Sequence, residues 1–150
     1  MAWRDNMLAV YPYLLERLQG IKGIKTVLEA QALDSLTRER SLAPLDGAVY
    51  LVFDGFTPRE DNSQRREQLF ELGFSVILVK RHYTPSPTAD SVGAILTQIL
   101  KALCGFDPID EDGKALCVRP FKAQNPLPIQ YHQGYAFFPT RFVCDVAVLS

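Results

Sequence analysis

Two compact apolar runs constrain this chain most. They are Gly47–Phe53 (Gly-Ala-Val-Tyr-Leu-Val-Phe) and Phe74–Val79 (Phe-Ser-Val-Ile-Leu-Val). Both are short, rich in β-branched and aromatic residues, and bounded by polar and turn-forming residues. That pattern reads as buried strands rather than helices. The second run can extend back through Gln68. Between them, Asp54–Arg66 holds Gly55, Pro58, Asp61, Asn62, Ser63, Arg65 and Arg66, with Phe56 as its only large apolar residue. This stretch reads as a long polar loop, so the two strands form a hairpin-like unit around it.

The rest of the chain supplies the covering layers. Met7–Gln19 has apolar residues at 7, 8, 10, 11, 14, 15 and 18, the helical period, with Asn6 as candidate N-cap and Gly20 as the stop. Pro12 disfavours a helix interior, so the helix starts near Tyr11 or kinks there. Ile24–Ala30 reads as a short strand, Gln31–Leu36 as a turn of helix and Thr37–Asp46 as an exposed connection. Pro85 and Pro87 break the chain after the second apolar run. Asp90 or Ser91 can then cap a helix through Val92, Ile95, Leu96, Ile99, Leu100 and Leu103, which ends at Gly105. Phe106–Lys114 is a turn-rich connector and Leu116–Phe121 a short strand. A loop with Pro126 and Pro128 leads to a long final strand, Tyr135–Leu149, bent or bulged near Pro139. Strands outnumber helices and hairpin-scale loops join them. The expected fold is therefore α+β, with a mainly antiparallel or mixed sheet flanked by two principal helices.

Length and charge narrow the function. A chain of 150 residues suits a single domain, 1–150, with a core large enough to need no metal or disulfide. The formal net charge is −1, which gives no electrostatic case for wrapping nucleic acid. No apolar stretch approaches the ~18 residues of a membrane-spanning helix, and the N-terminus carries no signal-like segment. The three cysteines, Cys104, Cys117 and Cys144, are odd in number and widely spaced. They suit a reducing compartment, most simply the cytoplasm of the producing cell.

The usual catalytic and cofactor signatures are missing: no glycine-rich phosphate loop, no His-Glu-x-x-His and no Gly-x-Ser-x-Gly. His82, His132 and the cysteines lack the paired spacing of zinc ligands. Asp107, Asp110, Asp112 and Gly113 loosely mimic a calcium loop, but Arg119 and Pro120 stand where its closing Glu belongs, so a solvated turn is expected. Asp54, Glu60 and Asp61 sit in a polar loop with no cleft to tune them as an acid–base pair. The expectation is a non-enzymatic protein with no metal and no cofactor. What remains is interaction surface. Tyr135, Phe137, Phe138 and Phe142 crowd aromatics onto the terminal strand, whose successive residues point to opposite faces. Either layers cover this strand on both sides, or Tyr135, Phe137 and Phe138 in part meet a neighbouring subunit.

In the order of its segments, the chain resembles the tail terminator, or tail completion, proteins of long-tailed bacteriophages. The residues that carry the likeness are Tyr11-Pro-Tyr-Leu-Leu-Glu-Arg-Leu18, Ala43-Pro44 leading into Gly47–Phe53, Phe74-Ser-Val-Ile-Leu-Val-Lys-Arg81, Ile99-Leu-Lys-Ala-Leu-Cys-Gly-Phe-Asp-Pro108, and above all Gln133-Gly-Tyr-Ala-Phe-Phe-Pro-Thr-Arg-Phe142. The sequence departs from the family pattern at Leu69–Phe74, where relatives more often carry a Gln-x-Trp-like entry to the strand.

The resemblance implies a ring, typically hexameric, that caps the tail tube, stops its polymerisation and presents a surface to the head–tail connector. The partners would then be other copies of the chain, the tail tube protein and the connector protein, with DNA passing through the lumen unbound. The protein would belong to the virion, at the head-proximal end of the tail, after assembly in the host cytoplasm. A closed heterologous ring needs two different complementary patches on each subunit. The polar segment offers one: acidic Glu60 and Asp61 and basic Arg59, Arg65 and Arg66 for charge pairing across subunits, with Phe56 as an aromatic anchor. Two other readings remain open at this point. One is another phage structural subunit, such as a tail tube or head–tail joining protein; the other is a small enzyme or regulatory domain with an unfamiliar site.

Overall fold

The computed structural model describes residues 6–30, 46–62, 67–81 and 92–149. They form helices α1 (Tyr11–Gln19) and α2 (Val92–Leu103). The strands are β1 (Thr26–Ala30), β2 (Ala48–Asn62), β3 (Glu67–Arg81), β4 (Arg119–Gln124), β5 (Gln130–His132) and β6 (Tyr135–Leu149). The strands make one six-stranded sheet in the order β1-β2-β3-β6-β4, with β5 also paired to β6. β1 runs parallel to β2 and every other pairing is antiparallel. This is the expected α+β plan with a mixed sheet and two helices.

Helix α1 begins at Tyr11, which places Pro12 in its first turn, where a missing N–H has no intrahelical partner to lose. Asn6 does not cap this helix. Its Oδ1 accepts the Leu8 N–H at 3.0 Å and closes the preceding turn instead. Leu14 and Leu18 of α1 and Ile95, Ile99 and Leu103 of α2 bury their side chains on one face of the sheet. There they meet Val49 and Leu51 of β2, Leu72, Phe74, Val76 and Leu78 of β3, and Phe138, Phe142 and Cys144 of β6. At ~1.5–3 kcal/mol for each fully buried apolar side chain, this cluster is the main stabilising element of the fold. Arg17 ties the helices together: its Nε donates to the Ala102 carbonyl at 3.0 Å, and its guanidinium lies 5.0 Å from the Phe106 ring centre.

The sheet's opposite face carries a second, smaller apolar cluster: Ala48, Tyr50, Val52, Ile77, Val79 and Phe137, with Tyr135 packed against it. The sheet is thus apolar on both faces at this end. That explains why Gly47–Phe53 and Phe74–Val79 read as continuous apolar runs rather than alternating ones.

Three expectations change. The polar stretch after Phe53 is not a loop from Asp54 onward: β2 runs on to Asn62 and pairs with β3. Its turn-forming residues serve as bulge residues. Register shifts fall at Phe53/Gly55, where Gly55 takes φ +116°, and at Pro58/Asp61. The short strand expected at Leu116–Phe121 is displaced to Arg119–Gln124, because Leu116 and Cys117 are apolar as core fillers rather than as ladder residues. Strand β6 is not bulged against β3 at Pro139, which pairs in unbroken register with Ile77. Pro139 falls in the gap between the residues of β6 that pair with β5 and those that pair with β4. The expected helical turn at 31–36, the connection at 37–45, and His82 with the break and cap before α2 lie outside the described residues.

Candidate assembly interface

Toward Asn62 and Glu67, β2, β3 and the C-terminal half of β6 continue side by side as a three-stranded arm of the sheet. Phe56 sits on this arm, 53% exposed, with its ring 5.6 Å from that of Phe70 in an edge-to-face contact. It is therefore held in place but not covered. Leu149, paired with Glu67 at the far end of the sheet, is exposed as well.

The sheet face opposite the helices is polar along this arm, and its charges are arranged as a network. Asp54 Oδ2 accepts the Ser75 hydroxyl at 2.7 Å and Arg141 Nε at 3.3 Å, while Arg141 Nη1 donates to Gln124 at 3.2 Å. Arg141 lies flat across the sheet because Gly73 beneath it has no side chain: a Cβ there would stand 2.7 Å from Arg141 Nη2. Farther along, Arg59 Nη1 meets Glu71 at 2.6 Å, and Arg59 Nε and Arg119 Nη1 approach Asp145 Oδ2 at 4.0 and 3.0 Å. Asp145 is 4% exposed, so these arginines offset the cost of burying its charge.

These positions sort the expected interface residues. Arg59 pairs with Glu71 and Asp145 within its own chain while its side chain stays about one third exposed. Glu60 and Asp61 lie in the strand, and Arg65 and Arg66 lie outside the described residues. Phe137 and Phe138 are 0% and 5% exposed, in the two apolar clusters on opposite faces, and Tyr135 is half-buried beside Phe137. The outward-facing share of the terminal aromatics is therefore covered within the subunit, because this end of the sheet is packed on both sides. Phe56 alone of the expected apolar anchors remains exposed.

The sequence reading missed a second exposed element. Residues 125–134 between β4 and β6 are exposed throughout, and they carry Leu127, Ile129 and Tyr131 at 47%, 49% and 69% exposure. Their alternation, in a segment stiffened by Pro126 and Pro128, was the available signal: period-two apolar residues are a strand pattern, and β5 forms here. Three large apolar residues in one uncovered segment exceed the scattered exposure normal for a monomer surface.

None of the side chains considered as catalytic from the sequence comes together in a catalytic arrangement among the described residues. Among the described residues, no three of His, Cys, Asp and Glu are grouped as a metal site requires. Asp110 is engaged in closing its own turn, accepting the Asp112 and Lys114 N–H groups at 2.9 and 2.8 Å. Tyr11 is pushed up to about 12 by burial and by the neighbouring Glu29. The two line an open concavity of about 600 Å³ whose other walls, including Leu8, Leu51 and Phe53, carry no titratable group. An open groove of about 820 Å³ lies between α1, α2 and the connector, with Tyr13, Ile21, Lys101, Phe106 and Ile109 on its walls. No described helix is long and apolar enough to cross a membrane.

No curated protein compared with the chain matches it significantly. The model of one family, described as phage tail terminator protein, matches residues 5–149. That match spans nearly the whole sequence, including the helices, the long hairpin arm and the terminal strand, and the chain belongs to the phage tail terminator family.

Proposed function

We propose that this phage tail protein closes into a ring on the end of the tail tube, ends tube polymerisation, and offers its other face to the head–tail connector. The observation that carries the reading is the family match over residues 5–149. The exposed surfaces support it. The subunit has two dissimilar apolar elements, Phe56 on the long arm and Leu127, Ile129 and Tyr131 on the β4–β6 segment. A ring built head to tail needs two unlike patches of this kind. By sequence, Glu60, Asp61, Arg65 and Arg66 carry charges of both signs, which would suit the same contact. The mechanism is steric and associative: no bond is made or broken, and the protein is not an enzyme. Six copies is the number the family resemblance suggests. Within the virion the ring sits at the head-proximal end of the tail, after assembly in the host cytoplasm, and DNA passes through its lumen without sequence-specific contacts.

Light scattering on the purified protein tests the assembly step. A single species of fixed mass, several subunits in size and unchanged on further concentration, is the expected result. A monomer at all concentrations would overturn ring formation. Open polymers that lengthen with concentration would instead place the chain with tube-forming subunits.

A further inference from the structure

We propose that Cys117 and Cys144 are a latent disulfide site, reduced as the chain folds and cross-linked when the protein meets a thiol oxidant. The proposal stands apart from the ring reading and does not depend on it. All three cysteines are thiols. Cys104 is exposed, whereas Cys117 and Cys144 are both buried in the main core, 8% and 2% exposed. They sit on two segments already joined at the backbone: the Val118 N–H donates to the Asp145 carbonyl at 2.7 Å, and Arg119 Nη1 reaches Asp145 Oδ2 at 3.0 Å. The flanking residues therefore hold the two thiols on adjoining backbone within one core cluster, a placement from which a cross-link can form.

The neighbouring Cys117, together with burial, holds the Cys144 thiol far above the ordinary cysteine value. Cys144 thus stays protonated and inert in a reducing cell. Reaction requires brief opening of the Val118–Asp145 pairing. With a small disulfide such as oxidised glutathione, one protein thiolate attacks a glutathione sulfur and expels glutathione thiolate. The second protein thiolate then attacks the mixed disulfide and expels another. The protein loses two hydrogens, which leave on two glutathione molecules, and the glutathione disulfide is reduced.

The closed loop would contain β4, β5 and the whole exposed 125–134 segment. A cross-link across a loop of this length restricts the unfolded chain, so it would raise stability while leaving the folded surface in place.

The test treats folded wild-type protein for several days with oxidised glutathione, or with diamide, in urea well below the unfolding midpoint. Free thiols are then alkylated and unreduced peptides mapped by mass. A Cys117–Cys144 linked peptide is expected, together with a higher melting temperature that reverts on adding reductant. Cys104→Ser should keep both signals and Cys117→Ala should lose both. Three results would overturn the proposal: both thiols still alkylated after treatment, a link involving Cys104 instead, or a link that lowers the melting temperature.

Discussion

Replacing Gly73 with Ala has opposite consequences depending on one distant side chain. The φ of Gly73 is not in the left-handed region, so its backbone accepts alanine. In a strand, exchanging Gly for Ala then stabilises by about 0.5–1 kcal/mol, through the lost freedom of the unfolded chain. The added Cβ, however, falls 2.7 Å from Arg141 Nη2 and 3.5 Å from its Cζ. The guanidinium must lift away. It then loses Asp54 at 3.3 Å, a partly exposed pair contributing about 0.5–1 kcal/mol, and Gln124 at 3.2 Å, a hydrogen bond of about 0.5–1 kcal/mol. In the wild-type background Gly73→Ala is therefore expected to be neutral to destabilising by about 1 kcal/mol. In an Arg141→Ala background the obstacle is gone, and the same change should stabilise by about 0.5–1 kcal/mol. Urea denaturation of the four proteins of this cycle gives a coupling energy, expected near 1–1.5 kcal/mol. Additivity within about 0.3 kcal/mol would refute the close approach of Arg141 to Gly73 and with it the reason for a glycine there.

Phe121 is buried between Phe74 and Phe106, with ring centres 6.0 and 5.9 Å away, so Phe121→Ala should cost about 3–5 kcal/mol in urea unfolding. Tyr11, raised to about 12 in the folded state against 10.0 unfolded, favours the native state fully below pH 10. That stability drains away as pH climbs to 12, because only the unfolded chain gives up the proton in between. Discounted for partial solvent screening the effect is roughly 1 kcal/mol, and the fall between pH 9 and 11.5 should be smaller in Tyr11→Phe. Replacing Leu127, Ile129 and Tyr131 together with Ser should change subunit stability by no more than about 0.5 kcal/mol, since all three are exposed. The same triple variant should scatter light as a monomer; a ring that survives it would remove this segment from the subunit contact.

The central strands and both helices were legible because burial imposes a period on sequence. Gly47–Phe53 and Phe74–Val79 are continuous because both sheet faces are covered there. Val92–Leu103 shows a clean helical stripe because only one of its faces is. The distal arm was not legible for the complementary reason. Beyond Phe53 the β2 residues Phe56 and Pro58 are exposed, the sheet's other face carries the Asp54–Arg141 and Arg59–Glu71 pairs, and Gly55 and Pro58 adjoin bulges that read as turn residues. Charges paired within the sheet look the same in sequence as charges offered to a partner, so the Arg59–Glu71 pair was not legible. Alternation identifies opposite faces but not whether both are packed, so the burial of Phe137 was left open by the sequence. The exposed Leu127, Ile129 and Tyr131 were hidden by two prolines that made a strand-patterned segment resemble an ordinary loop.

The central claim is that the protein caps tail tubes. Negative-stain imaging of polymerising tail tubes, with and without the purified protein, tests it most directly. The account predicts a ring-shaped density at one end of each tube and growth that stops once it is seated. Tubes that keep lengthening with bare ends, at protein concentrations well above that of tube ends, would contradict it.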